Sequence, residues 1–155
     1  MILYRFAQPR YAITPEQAFS GEGGLRYAGR WNNAGSLAVY TATTLSLAVL
    51  EAFVHVRRPI PQSLLLFVVD VPDHLIEPLS PVPLLWDTHP PSASSREAGD
   101  KWLQSKAAVG LLVPSVIVPQ EANCLLNPAH PDFSLDWVEG PLDFPLDPRL
   151  QRFFP

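Results

Sequence analysis

The chain has 155 residues, of which 47% are apolar and 17% charged; this is enough for one core and a single domain over 1–155, and it excludes intrinsic disorder. A formal net charge of −4, only two lysines (Lys101 and Lys106) and no Lys/Arg run argue against direct tracking of a nucleic-acid backbone. One cysteine excludes an internal disulfide, no apolar run approaches a membrane span, and the N-terminus lacks a signal-peptide pattern, so a cytoplasmic protein is expected. The 18 prolines, about 12% of the chain against roughly 5% on average, predict short elements joined by stiff connections.

Residues 2–6 read as an opening strand that carries Arg5 and ends at Gln8-Pro9. Thr14-Pro15-Glu16-Gln17 is a helix start, with Thr14 as cap and Pro15 at the first helical position. The helix is brief, because Gly21, Gly23 and Gly24 follow. Together with Gly29 they form a loop bearing Arg26 and Arg30, which is either an ordinary flexible loop or a wrap for a phosphate. It is not a dinucleotide fingerprint, since no buried strand leads into it and a strand, not a helix, follows. Trp31 is read as lining a cleft or anchoring this loop to the core, and Arg26 as a phosphate contact or a solvated charge.

Residues 36–42 alternate as a strand, with Val39 and Thr41 on one face and Tyr40 on the other. Thr43 or Thr44 then caps a helix running to about Val56, ended by Arg57, Arg58 and Pro59. It is so apolar that burial all round is expected, Glu51 and His55 being the exceptions on one stripe. A buried carboxylate must be paired, protonated or facing a cavity. Glu51 is therefore either half of a structural ion pair, for example with Arg30, or a catalytic acid on a cleft floor. His55 reads as a core or boundary histidine rather than a proton shuttle.

Residues 62–71 form an apolar run suited to a strand covered on both faces. The proline-rich stretch 72–95 is irregular, with Leu84, Leu85 and Trp86 expected to cover the core rather than form a lid. A second helix is predicted over 95–108 with Ala98, Trp102 and Leu103 inward, then a strand over 109–118 with a bulge or edge at Pro114. Ser115 lacks the glycines of a nucleophile elbow and is read as a hydroxyl for a ligand. Asn127, before Pro128, suits an Asx turn, and a last short strand is predicted at 135–138 ahead of a proline-punctuated tail. The four histidines and lone cysteine have no ligand spacing, so no metal is expected.

The run 20–51, SGEGGLRYAGRWNNAGSLAVYTATTLSLAVLE, resembles the signature of RES-domain proteins, the toxin half of RES-Xre toxin-antitoxin pairs. LYRF at 3–6, LLVPSVIVPQEANCLLNPAHPDF at 111–133 and FPLDPRL at 144–150 extend the likeness in compatible order; Ala28 departs from a glycine common before the arginine. The resemblance implies an α+β fold like the diphtheria-toxin-type ADP-ribosyltransferases: one compact domain, a mixed sheet and few short helices around an NAD cleft. It implies NAD as substrate, no permanently bound cofactor, and cleavage by hydrolysis or phosphorolysis, with inorganic phosphate as the co-substrate in the second case. Some members transfer ADP-ribose to a protein.

The family's eponymous arginine, glutamate and serine fall on Arg30, Glu51 and Ser115, with Tyr40, Arg5 and Asn127 in further matching blocks. On this basis Glu51 stabilises the oxocarbenium-like transition state, Arg30 and Arg5 clamp the diphosphate, Tyr40 stacks on nicotinamide and Ser115 holds the nicotinamide ribose. Asn127 joins the substrate-binding set. The resemblance also implies a cognate Xre-type helix-turn-helix antitoxin that carries any DNA contact, and it leaves homodimer formation open. Two other readings stand beside it, a non-catalytic nucleotide-binding module and a protein-interaction domain with a structural Glu51–Arg30 pair. RNA cleavage is disfavoured by the acidic charge.

Overall fold

In chain order the elements are β1 (Ile2–Ala7), α1 (Pro15–Ala18), α2 (Glu22–Arg26), β2 (Val39–Ala42), α3 (Leu45–His55), β3 (Ser63–Asp70), β4 (Ile76–Pro78), α4 (Ala93–Ser105), β5 (Gly110–Pro114), β6 (Ala122–Leu126) and β7 (Val138–Pro145). Single turns of 3-10 helix at Asp73–Leu75 and Leu135–Trp137 precede β4 and β7. This computed structural model describes residues 1–55 and 61–149; the predicted helix end at Val56 to Pro59 and the last residue of the FPLDPRL block lie outside them.

The strands form one seven-stranded sheet in the order β4-β5-β6-β2-β1-β3-β7, antiparallel except for the β4–β5 pair. Both faces are covered, as alternation along β6 makes plain. Cys124 and Leu126 join Leu3, Phe19, Val39 and Phe67 on one side, while Leu125 joins Trp31, Trp102 and Leu111 on the other. The order has a weak seam. β1 pairs with β3 over six residues, Ile2 to Ala7, but with β2 only at Tyr4 opposite Ala42. Beyond that pair the Arg5 side chain takes over, donating from Nη1 to Tyr40 O at 2.9 Å.

Several expectations need correction. α3 is not buried all round: Leu47, Ala48 and Phe53 face the sheet, while Leu50 is 44% and Val54 62% exposed. A one-layer helix on a sheet has an outer side whatever its composition. Leu84 and Leu85 do not cover the core but stand in solvent, and Trp86 alone turns inward. The predicted strand at 135–138 is largely the 3-10 turn Leu135–Trp137, and the supposed tail is β7. Its prolines fit because β7 is an edge strand with one side free of the ladder. β4 and β6 were not anticipated, and Pro114 ends β5 rather than bulging it.

Candidate active site

Thr44 starts α3, its Oγ1 accepting from Leu47 N at 3.1 Å and donating to Glu121 just before β6. The inner face of α3 then packs Leu47 and Ala48 on Ala42 and Tyr4, and one turn later Glu51 meets the ends of β5 and β6. Asn123 Nδ2 donates to Glu51 Oε1 at 2.6 Å, and Ser115 Oγ donates to the same oxygen at 3.2 Å. Among the described residues Oε2 has the His55 ring 4.0 Å away, and that ring, 80% exposed, is a surface group rather than the core or boundary histidine expected. Among the described residues no arginine pairs with Glu51. The structural ion pair with Arg30 is therefore absent, and neutral donors hold the carboxylate instead.

Ser115 sits where the chain leaves β5. It is fully buried, and its Oγ also accepts from Ile117 N and Val118 N at 3.1 and 3.2 Å. With its donor and acceptors occupied in this structure, it supports Glu51.

Tyr40 and Ala42 share a face of β2, and their partners across β6 are Leu125 and Asn123. The Glu51 cluster thus stands on the Ala42–Asn123 row, and the next row, roughly 7 Å along the strand, belongs to Tyr40. The Tyr40 hydroxyl donates to Asn32 Oδ1 at 2.8 Å and accepts from Trp31 N at 3.0 Å. Burial, the main cause, raises its pKa well above the usual phenol range, so it remains a donor at neutral pH. Its hydroxyl anchors the loop carrying Arg30.

That loop is tightly built. Asn32 is fully buried; its Nδ2 reaches the carbonyls of Gly24, Tyr27 and Asn33, and its Oδ1 also accepts from Gly29 N. Asp100 of α4 receives Asn33 N, Asn33 Nδ2 and Ser36 Oγ. A Cβ at Gly99 would lie 1.8 Å from Trp31 O, so this glycine is the notch that lets α4 meet the loop. A Cβ at Gly29 would lie 2.4 Å from Tyr40 Oη. Gly21, Gly24 and Gly29 thus serve close packing against the protein's own atoms, while Gly23 borders open space, and 22–26 is a helix rather than a phosphate wrap. Arg26 forms an exposed pair with Glu22 at 2.9 Å, and Trp31, 2% exposed, is the loop's anchor.

Arg30 and Arg5 have no carboxylate partner among the described residues. Arg30 Nη1 donates to Trp86 O at 2.5 Å and Thr88 O at 2.9 Å, while Trp31 stacks on Trp86 with centroids 6.1 Å apart. Burial pushes Arg5 down to about 10, which leaves it cationic at neutral pH, and its Nε is enclosed without a partner. A desolvated guanidinium with spare donors is suited to an anion. Asn127, by contrast, is occupied at both ends: Nδ2 donates to Leu103 O at 2.8 Å and Oδ1 accepts from Ala129 N at 3.1 Å. It makes the predicted Asx turn and fastens β6 to α4. The amide is buried, and the two bonds it makes in this structure serve the scaffold.

Asn123 and Asn32 were missed. Asn123 left a faint signal, a polar residue entering the apolar run NCLL. Elsewhere, a groove of about 440 Å³ lined by Glu16, Phe19, Leu37 and Phe133 holds no arginine and none of the residues above. It offers no charge complement to a diphosphate. Among the described residues no His/Cys/Asp/Glu group is arranged to hold a metal, and no helix is long and apolar enough to cross a membrane.

Comparison with known proteins places these features in company. Residues 2–147 match the RES domain family. The chain is 41% identical over 156 residues to the protein named Toxin Res of Yersinia enterocolitica, covering 97% of this chain and 100% of that one. It is 43% identical over 139 residues to the Prs ADP-ribosylating toxin of a Sphingobium species, covering 86% of each. Its fold is similar to a chain of the Mycobacterium tuberculosis MbcT-MbcA toxin-antitoxin complex, with TM-score 0.69 at 16% identity, covering 98% of this chain and 87% of that one.

Proposed function

The chain belongs to the RES domain family, and from that premise we propose that it is the toxin of a toxin-antitoxin pair, an enzyme that consumes NAD by breaking its nicotinamide–ribose bond. The observation that carries this reading is Glu51 itself: a three-quarters-buried carboxylate that, among the described residues, has no lysine or arginine on it, is held by neutral donors through Oε1 and leaves Oε2 without a hydrogen bond. Such a group has uncompensated negative charge to offer where positive charge develops.

In the reaction the C1′–N bond breaks and its electron pair leaves with nicotinamide, neutralising the pyridinium ring. Positive charge spreads over C1′ and the ring oxygen of the ribose. Glu51 accepts a hydrogen bond from a ribose hydroxyl and stabilises that charge electrostatically. Arg30 and Arg5 hold the diphosphate; for Arg30 this means exchanging the carbonyls of Trp86 and Thr88 for phosphate oxygens. The Tyr40 ring, whose hydroxyl is already committed, lies on the same face and flanks the nicotinamide. An oxygen of water or of inorganic phosphate then forms the new bond to C1′. Water loses a proton in doing so; phosphate gives a phosphorylated ADP-ribose.

A protein acceptor is the second reading, favoured by the Sphingobium relative named for ADP-ribosylating Prs. In either case the partner we propose is a cognate Xre-type antitoxin.

The test is nicotinamide release from NAD by the purified chain, with and without inorganic phosphate, beside Glu51→Gln. Release that requires Glu51 is expected, and a rise with phosphate identifies phosphorolysis. A folded chain that releases none in any condition, even with candidate protein acceptors present, would refute NAD consumption.

A further inference from the structure

The two oxygens of Glu51 are not equivalent. Oε1 takes both strong contacts, from Asn123 Nδ2 at 2.6 Å and Ser115 Oγ at 3.2 Å. A carboxylate oxygen has two lone-pair directions, so Oε1 is filled. Among the described residues Oε2 accepts no hydrogen bond, and its one ion-pair contact is the solvent-exposed His55 ring at 4.0 Å. A hydroxyl delivered to this carboxylate meets Oε2.

Asn123 is the group that sets this division. The Ser115 hydroxyl can rotate to follow the carboxylate, and its oxygen is already shared with two backbone amides. The Asn123 amide is planar, makes the shorter bond, and projects from a strand position fixed opposite Ala42 and Val113. Its other end is telling: Oδ1 is enclosed and has no donor. The structural asparagines of this protein, Asn32 and Asn127, are satisfied at both ends. Leucine would fill the Asn123 site without stranding an acceptor. An amide kept despite that cost serves whatever its nitrogen holds.

We propose that Asn123 is a positioning residue, which fixes Glu51 by Oε1 so that Oε2 alone faces the substrate. The inference rests on the reading that Glu51 accepts a ribose hydroxyl, and it is tested so that the two can fail separately. NAD cleavage kinetics are measured for the chain, Asn123→Leu and Asn123→Asp, with melting temperatures for all, and crystal structures are solved for the chain and Asn123→Leu.

Asn123→Leu is expected to melt as the parent does and lose about 100-fold in kcat, as for a reacting group misplaced by an ångström, with KM changed less than about twofold. Asn123→Asp, which keeps the shape but sets acceptor against acceptor, should lose at least as much, and it carries the test if the leucine variant does not fold. In the Asn123→Leu crystal the Glu51 carboxylate should be turned. Parental kcat in either variant, a loss borne by KM instead of kcat, or an unmoved carboxylate would overturn the proposal. If the parent itself cleaves no NAD, the functional reading falls, and the two crystal structures still decide whether Asn123 orients Glu51.

Discussion

Two asparagines lie on the same side of the sheet and have opposite fates. Asn32, in the Arg30 loop, donates to three carbonyls and accepts from an amide and a phenol, with nothing left over. Asn123, beside Glu51, has one strong bond to a carboxylate and an enclosed oxygen with no donor. Complete satisfaction is what folding selects, since a stranded buried group costs about 1–3 kcal/mol. Incomplete satisfaction persists where another demand competes. The contrast separates scaffold from chemistry more cleanly than exposure does, for Ser115 is wholly buried while Glu51, which it contacts, is a quarter exposed.

The largest effect tests the chemistry side. Glu51→Gln should lower the rate of nicotinamide release by about 100- to 1000-fold, the scale of removing one electrostatic stabiliser. Its melting temperature should hardly move, because a glutamine carbonyl still accepts from Asn123 and Ser115. A collapse in stability would instead mark Glu51 as a structural anchor. Next comes the scaffold side: Asn32→Ala strands three carbonyls and the Tyr40 hydroxyl, and should cost about 3 kcal/mol in denaturant unfolding. Unfolding curves that coincide with the parent's would break the comparison.

Arg5 is an intermediate case, with one bond made and one donor idle. Arg5→Met removes a buried unpaired charge and one hydrogen bond, which nearly offset, so stability should change by no more than about 1 kcal/mol. The rise in melting temperature given by ADP-ribose should disappear; if it survives, Arg5 is not an anion contact. Smallest of all, Arg26→Ala deletes an exposed pair with Glu22 and should shift stability by less than about 0.5 kcal/mol with unchanged turnover. A large loss there would mean that Arg26 reaches the ligand.

The sequence made some of this legible. Thr14 and the Thr43-Thr44 pair announce their helices because a hydroxyl before an apolar run has one local use, and of the pair it is Thr44 that caps. Glu51 stood out because a single acid in an apolar helix demands explanation. Its contacts were hidden, since Asn123 in β6 and Ser115 just after β5 lie 72 and 64 residues away and only the β2–β6 and β5–β6 pairings set them beside it. The glycines misled for a related reason. A gap in side-chain volume looks the same in sequence whether it is filled by a phosphate or by the Tyr40 hydroxyl. β7 was obscured by prolines, which argue against a central strand but not against an edge.

The single β1–β2 pair at Tyr4 and Ala42 makes the sheet two slabs joined at a seam. Separating them there disrupts little backbone ladder, so amides bordering the seam should exchange with solvent through local opening, well ahead of those between β1 and β3. Arg5, reaching across to Tyr40 O, is the rivet of that joint. On the proposed function, in which Arg5 also holds the diphosphate, filling the site should stiffen this joint, and amide exchange along β2 should slow when ligand is bound.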